Sequence, residues 1–471
     1  MFNDHFAFAS FDLRPLRQTP QNGARPILRR TVVRAIATWW RSAATTMVLL
    51  SLPIFASAQS PLAGRWEGFL EGPADRQALF LTFTMQGDGL SGRIDLPEAG
   101  ALGVPLRAIR FTAPEIQFEL PTERGALQFE GRASDTLLLG SWAGLGIGGK
   151  FRLARASAPL PPYRQEEVQF ESRGGVRLAG TLLTPVGVAR PPAIVFIHGS
   201  GASSRVGFQF FADYYARHGI AALTYDKRGV GGSTGDWERA TFDDLANDAL
   251  AAVRLLKARR DIGPVGLQGH SQGGRISFVA VAHSPEVSFI ITVSGGLTTP
   301  VEQELIELDV RLRARGFPDS VLERAQALRR MVDEFYRTGE RRAELQTALA
   351  QAKTEPWFPL TTLRETPIPE SERCTSWWHF NMDFDPLPAV ERTHVPVLAI
   401  FGQRDQEYMV TTSRGRLEVA LAKSPANGRY RILIFPNADH TLRVSAGFLP
   451  RLAPGLLDSL VDWIKGPRGP S

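Results

Sequence analysis

Hydrophobic and polar positions change their period along this chain. Between Leu62 and Ala154 they alternate: Leu79, Leu81, Phe83 and Met85 are interleaved with Phe80, Thr82 and Thr84, and Ile116, Phe118 and Leu120 with Gln117 and Glu119. A period of two gives a strand one buried and one wetted face. Gly87-Asp88-Gly89 and Glu123-Arg124-Gly125 supply turns between such runs. The pattern predicts a small antiparallel β-domain over 59–156, a barrel or a sandwich, with Trp66 and Trp142 in its core. Three prolines within Ser157–Tyr163 resist helix and central strand alike, so 157–165 reads as a linker.

Beyond the linker, strand-like and helix-like segments alternate, the mark of a parallel α/β sheet. Strands are expected near 167–172, 176–183, 193–198, 221–225, 264–269, 288–293, 396–401 and 430–435. Several are continuous apolar runs, such as Ala193–Ile197 and Val395–Phe401, as expected of strands covered on both faces. The alternation stops between 298 and 388. Residues 301–352 read as two or three helices, followed by Trp357, Trp377, Trp378 and Phe380. The chain thus divides into an α/β unit over 166–297 and 389–467 and a helical insertion over 298–388.

Composition adds little to this division except at the N-terminus. The net charge is +6. Residues 1–58 carry seven Arg, no Lys and two Asp, a balance of +5, which leaves about +1 for everything after them. The basicity is therefore no argument for a nucleic-acid partner. Arg29, Arg30, Arg34 and Arg41 precede the apolar run Met47–Phe55 and then Ala56-Ser57-Ala58. That order predicts an export signal cleaved after Ala58 and a periplasmic or secreted protein, cytoplasmic if the segment is not a signal. The run is too short for a permanent membrane span. One cysteine, Cys374, excludes an intramolecular disulfide and is expected to be buried or incidental.

Candidate chemistry centres on Gly269-His270-Ser271-Gln272-Gly273. This G-x-S-x-G follows an apolar strand and opens a helical stretch, the context a nucleophile elbow needs. A serine hydroxyl requires a base. Of eight histidines, His440 stands on the loop after the last strand, where it can reach across the strand ends. His270 lies in the elbow itself and should diverge from Ser271. Asp405, on the loop after strand 396–401, is expected to orient the base; Glu407, two residues on, competes with it. Asp439, next to His440, should point away. The order Ser, Asp, His is that of the α/β-hydrolase arrangement. His198-Gly199-Ser200-Gly201 ends strand 193–197, and the backbone N–H groups of Ser200 and Gln272 are assigned to an oxyanion hole.

These segments, with Asp226-Lys-Arg-Gly-Val-Gly-Gly-Ser233, Gly402–Asp405 and Asp439-His440, resemble the α/β-hydrolase superfamily over 165–466. The likeness is greatest to bacterial carboxylesterases and serine-aminopeptidase-like hydrolases with an N-terminal β-domain. It implies a mostly parallel eight-stranded sheet with helices on both faces, and a serine esterase acting without metal or cofactor on a small-molecule ester. It implies a loop-shaping, non-catalytic role for Asp226–Ser233 and a variable cap that sets specificity. His198, Gly199, Trp357, Trp377 and Trp378 are the candidate substrate contacts, although the aromatics could equally pack the cap on the core.

Gly144–Lys150 imitates a phosphate-binding loop, but Phe151 stands where Ser or Thr is needed and a strand is expected to follow. No spacing suggests a metal site. Two rival functions stay open. A serine aminopeptidase or prolyl peptidase would use the same triad and need an acid for the peptide amine. Glu302, Glu304 and Glu307 are candidates, though a solvated helix face explains them more simply. A non-catalytic binding protein on a hydrolase scaffold would not need a complete triad. Acyl and alcohol specificity and oligomeric state are not encoded in any motif.

Overall fold

The computed structural model describes residues 60–466, apart from Ala74, Asp88, Glu123, Arg124, Ala158, Gln406 and Ala446 and the side chains of Glu407, Tyr408 and Met409. The expected export signal lies outside the described residues.

The β-domain is one antiparallel sheet of nine strands: β1 (Gly64–Glu71), β2 (Arg76–Gln86), β3 (Gly89–Leu96), β4 (Ala101–Pro105), β5 (Arg107–Thr112), β6 (Glu115–Thr122), β7 (Gly125–Ala133), β8 (Leu137–Gly144) and β9 (Ile147–Ala156). Their spatial order is β4-β3-β2-β1-β9-β8-β7-β6-β5. The two ends of that order are consecutive in the chain, joined by Leu106, whose N–H donates to Gly92 O in β3 at 2.9 Å. The sheet therefore curls back on itself as a barrel and does not split into a sandwich. Closure conceals the edges that an open sheet would expose. The inward rows are the alternate residues of each strand: Leu79, Leu81 and Phe83 on β2, Ile116, Phe118 and Leu120 on β6. Met85, at the end of the β2 row, is 40% exposed and marks where the barrel ends. Phe118 and Phe129 stack at 4.7 Å. Trp66 and Trp142 are core residues, and each indole N–H donates to a carbonyl, that of Leu62 and of Glu71. The phosphate-loop look-alike is the tight turn between β8 and β9.

The α/β unit contains β10 (Tyr163–Glu171), β11 (Arg177–Pro185), β12 (Ala193–Ile197), α1 (Gln209–Arg217), β13 (Ala221–Tyr225), α2 (Phe242–Lys257), β14 (Val265–His270), α3 (Gln272–His283) and β15 (Phe289–Val293). The insertion follows as α4 (Pro300–Ala314), α5 (Asp319–Thr338), α6 (Arg342–Ala352), α7 (Glu370–Arg373), α8 (Trp377–Asn381) and α9 (Leu387–Glu391). The unit resumes with β16 (Val397–Gly402), α10 (Glu407–Lys423), β17 (Tyr430–Phe435), β18 (Arg443–Val444), β19 (Arg451–Leu452) and α11 (Leu456–Lys465). Eight strands form its sheet in the order β10-β11-β13-β12-β14-β15-β16-β17. The β10–β11 and β11–β13 pairs are antiparallel and the others parallel.

Both faces of the inner strands are buried, which is why they read as continuous apolar runs, whereas the edge strands β10 and β17 are partly exposed. Val195 and Ile197 of β12 face a layer that includes α2, α3 and α10. Ile194 and Phe196, one residue out of phase, face α1 and α11. The insertion has its own core of Leu308, Leu312, Leu322, Phe335, Leu345 and Leu349. Cys374 is exposed, which removes the buried alternative of the two expected for it. No helix among the described residues is long and apolar enough to cross a membrane.

Arg228 and Asp248 form a buried bidentate pair, Nε to Oδ2 and Nη2 to Oδ1, both at 2.7 Å. Asp248→Ala would leave the guanidinium with only the partly exposed Asp244 carboxylate, 3.8 Å away, so denaturant unfolding is expected to register a loss of about 3 kcal/mol. An unchanged midpoint would mean that water reaches this pair.

Candidate active site

Parallel strands that end on one edge bring their following loops together, and the candidate residues sit on three such loops. Ser271 occupies the turn between β14 and α3 at φ 53°, ψ −115°. A positive φ is costly for a residue with a Cβ, on the order of 1–3 kcal/mol, so the surroundings must enforce it. They do so by close packing. The Ser271 N–H donates to Val293 O at 2.8 Å. A Cβ on Gly269 would lie 2.0 Å from Gly273 O, and one on Gly273 would lie 2.4 Å from Ile197 O. No side chain fits at either position.

His440 Nδ1 donates to Asp405 Oδ1 at 2.8 Å, with both residues largely buried. Their loops leave adjacent strands and are bonded to each other. Gln403 N–H donates to Phe435 O, Arg404 N–H to Ala438 O, and Asn437 N–H to Gln403 Oε1. Asp439 is turned into its own loop, where Oδ1 accepts from the Thr441 and Arg443 N–H groups. The Glu407 side chain lies outside the described residues. His270 Nε2 donates to the His440 carbonyl at 3.1 Å, and the two rings are 5.0 Å apart. The histidine beside Ser271 is therefore a tether that fixes the His440 loop to the elbow. Sequence reasoning discarded it as a base and had no signal for this role.

Burial by itself would lower the His440 pKa, but the charge and hydrogen bond of Asp405 outweigh it, and Glu307 and Asp439 add to the rise above 6.5. His270 is held well below the usual imidazole range by burial and by His440, so it stays neutral.

The 198–201 loop is gathered around Lys227. Its buried ammonium donates to Gly199 O at 2.8 Å, Gly201 O at 3.0 Å and Gln272 Oε1 at 3.1 Å. One side chain thus joins the loop after β12 to the first residue of α3. Burial pulls its pKa down to about 7. The sequence placed Lys227 in a turn motif without giving it a partner. His198, a candidate substrate contact, is instead buried between the rings of Phe208 and Tyr225. Burial, then the charge of Lys227, pulls its pKa down to about 3.

From the insertion, Glu307 reaches the same region. Contrary to the solvated-face expectation, it is 2% exposed. Burial, then the charge of Glu304, raises its pKa to about 7. Gln303 Nε2 donates to Glu307 Oε1 at 2.7 Å, and Gln303 also accepts from the buried Arg275 of α3. Glu302 is not part of this cluster; it caps α4 through Thr299 and pairs with Arg416. The tryptophans pack the insertion. Trp357 is buried in its core, the Trp378 indole N–H donates to Asp333 Oδ1, and Trp377 lies edge-on to Phe242.

Residues 190–348 match the Hydrolase_4 family, serine aminopeptidase S33. Esterase EstD of Thermotoga maritima is 24% identical over 295 residues, covering 60% of this chain and 62% of EstD. Thiohydrolase AneE of Aspergillus aculeatus is 29% identical over 143 residues, covering 30% of this chain and 44% of AneE. The chain thus spans less than two thirds of either relative. The structure of Pyrococcus furiosus esterase Pf2001 aligns with a TM-score of 0.39 and 15% identity, over 61% of this chain and 88% of that one. The strand order and the likeness over 190–348 give the chain an α/β-hydrolase fold of esterase-like kind. Its similarity to the serine aminopeptidases is confined to residues 190–348.

Glu307→Gln removes a negative charge that favours the imidazolium of His440. An NMR titration of His440 should therefore give a lower pKa than in the wild type. An unmoved or raised value would mean that Glu307 is screened from the ring.

Proposed function

We propose that the protein is a serine hydrolase cleaving carboxylic esters through an acyl-enzyme on Ser271. The observation that carries this reading is the His440–Asp405 hydrogen bond on a loop tethered to the Ser271 elbow. Asp405 holds the proton on Nδ1, which leaves Nε2 as the basic nitrogen. His440 takes the Ser271 Oγ proton as Oγ adds to the ester carbonyl. The negative charge that develops on the carbonyl oxygen is received by the N–H groups of Ser200 and Gln272. Collapse of this adduct expels the alcohol, which takes the proton from His440. Water then attacks the acyl-enzyme as His440 takes its proton, and His440 returns that proton to Ser271 Oγ as the acid leaves. Lys227 supports the arrangement by holding the carbonyls on either side of Ser200 and the Gln272 side chain.

The buried Glu307 favours a second reading, an aminopeptidase whose substrate amine is met by this carboxylate. Its contacts with Gln303 and Arg311 and its raised pKa weaken it as an anionic anchor at neutral pH. The export reading is likewise a proposal. N-terminal sequencing of the protein from a periplasmic fraction should begin at Gln59, and an intact Met1 there would refute it.

A p-nitrophenyl acyl series from acetate to palmitate, run beside aminoacyl p-nitroanilides, tests the function. Turnover of esters by the wild type, with a loss of at least about 10³-fold in Ser271→Ala, is the expected result. Amide turnover without ester turnover would favour the peptidase, and turnover retained in Ser271→Ala would exclude Ser271 as nucleophile. Lys227→Met is expected to lower kcat by roughly tenfold with little change in KM, because the loop it holds matters most when the oxyanion forms.

A further inference from the structure

His440 is the least supported of the three candidate residues by its own sheet. Its loop leaves β17, the edge strand, where Tyr430, Ile432 and Leu433 are only partly buried and Ile434 is exposed. The chain then makes the tight turn 439–443, in which Asp439 N–H donates to Arg443 O at 2.8 Å. It continues directly into the β18–β19 hairpin, and that hairpin is seated on the β-barrel.

The contacts come from several parts of the barrel. The Phe448 ring lies 5.0 Å from that of Trp142. It covers Gly72 so closely that a Cβ there would lie 2.1 Å from Phe448 Cδ1. Gln77, fully buried, donates from Nε2 to Leu449 O at 3.1 Å. Arg451 pairs with Asp75 at 2.6 Å and donates to Arg76 O at 2.9 Å. Arg443 Nε donates to Ala99 O at 2.9 Å. Each is a directional contact to a rigid sheet or its turns, so together they fix the hairpin in position and orientation.

We propose that the β-barrel positions the catalytic base: it clamps Arg443, Phe448, Leu449 and Arg451 and so holds His440 against Asp405 and the Ser271 elbow. This rests on the reading of Ser271 and His440 as nucleophile and base. Phe448, Gln77, Asp75 and Arg451 are positioning residues and touch no substrate. A general base must be set to a fraction of an ångström, and a displacement of about 1 Å costs roughly 10²-fold in rate. A loop on an edge strand gains that precision from an external support.

The test is Gly72→Ala in the full chain, a change confined to the barrel that pushes on Phe448. The expected result is a kcat lowered about 10- to 100-fold with KM within about twofold of wild type. The far-downfield Nδ1–H proton resonance of His440, assigned by its loss in His440→Ala, should broaden or shift. Adding Phe448→Ala should relieve the clash and, with the Gln77 and Arg451 contacts kept, restore part of both signals. Asp75→Asn, which weakens the clamp without adding bulk, should lower kcat in the same sense and serves if Gly72→Ala does not fold. A folded Gly72→Ala or Asp75→Asn protein with wild-type kcat and an unmoved resonance would overturn the clamp. If the wild type turns over no ester, the ester reading fails but the resonance still decides: a shift in the barrel variants supports the clamp and an unmoved line refutes it.

Discussion

The hydrogen bond from His440 Nδ1 to Asp405 is the contact around which the site is built. It joins two loops that a parallel sheet sends off the same edge, from β16 and β17, paired up to Gly402 and Phe435. The loops could not approach if Gly402 carried a side chain, because a Cβ there would lie 2.1 Å from Asp439 O. Backbone bonds then hold them together, and His270 ties the His440 carbonyl back to the elbow. Geometry that an isolated imidazole–carboxylate pair would not hold is thus set by strand pairing, one glycine and one neutral histidine.

Around this centre the protein buries charged and polar groups that stability alone would not favour. Lys227 draws three acceptors onto its ammonium, two of them carbonyls of the loop after β12. Arg275 is buried behind the elbow and donates to Gly296 O. Glu307 closes the cluster from the insertion. A low-dielectric site strengthens each contact while penalising any group left unpaired, so such a network has few alternative arrangements. The insertion is coupled to the elbow through polar groups, whereas Trp357 serves its own packing and Trp377 seats it on Phe242 of α2.

The barrel meets the segment that follows His440 through one tilted aromatic pair, one ion pair and several bonds to carbonyls. Phe448 belongs to the α/β unit in sequence but packs against the barrel core. Segments distant in the chain therefore share one small interface.

Sequence by itself determined what depends on local periodicity and short motifs. The alternation of β2 and β6, the continuous run of β12, the strand–turn–helix around Ser271 and the order of Ser271, Asp405 and His440 were all legible, because period and neighbour identity carry that information. Only the tertiary structure decided what depends on contacts between distant segments. It closed the nine strands into a barrel, buried Glu307 on a helix whose charges read as solvated, and gave Lys227 and His270 their acceptors. It took Trp357 and Trp378 away from substrate and into packing, and it seated the hairpin after His440 on the barrel. In each of these the deciding partner is remote in the chain, and no local pattern records the depth of burial or the direction of approach.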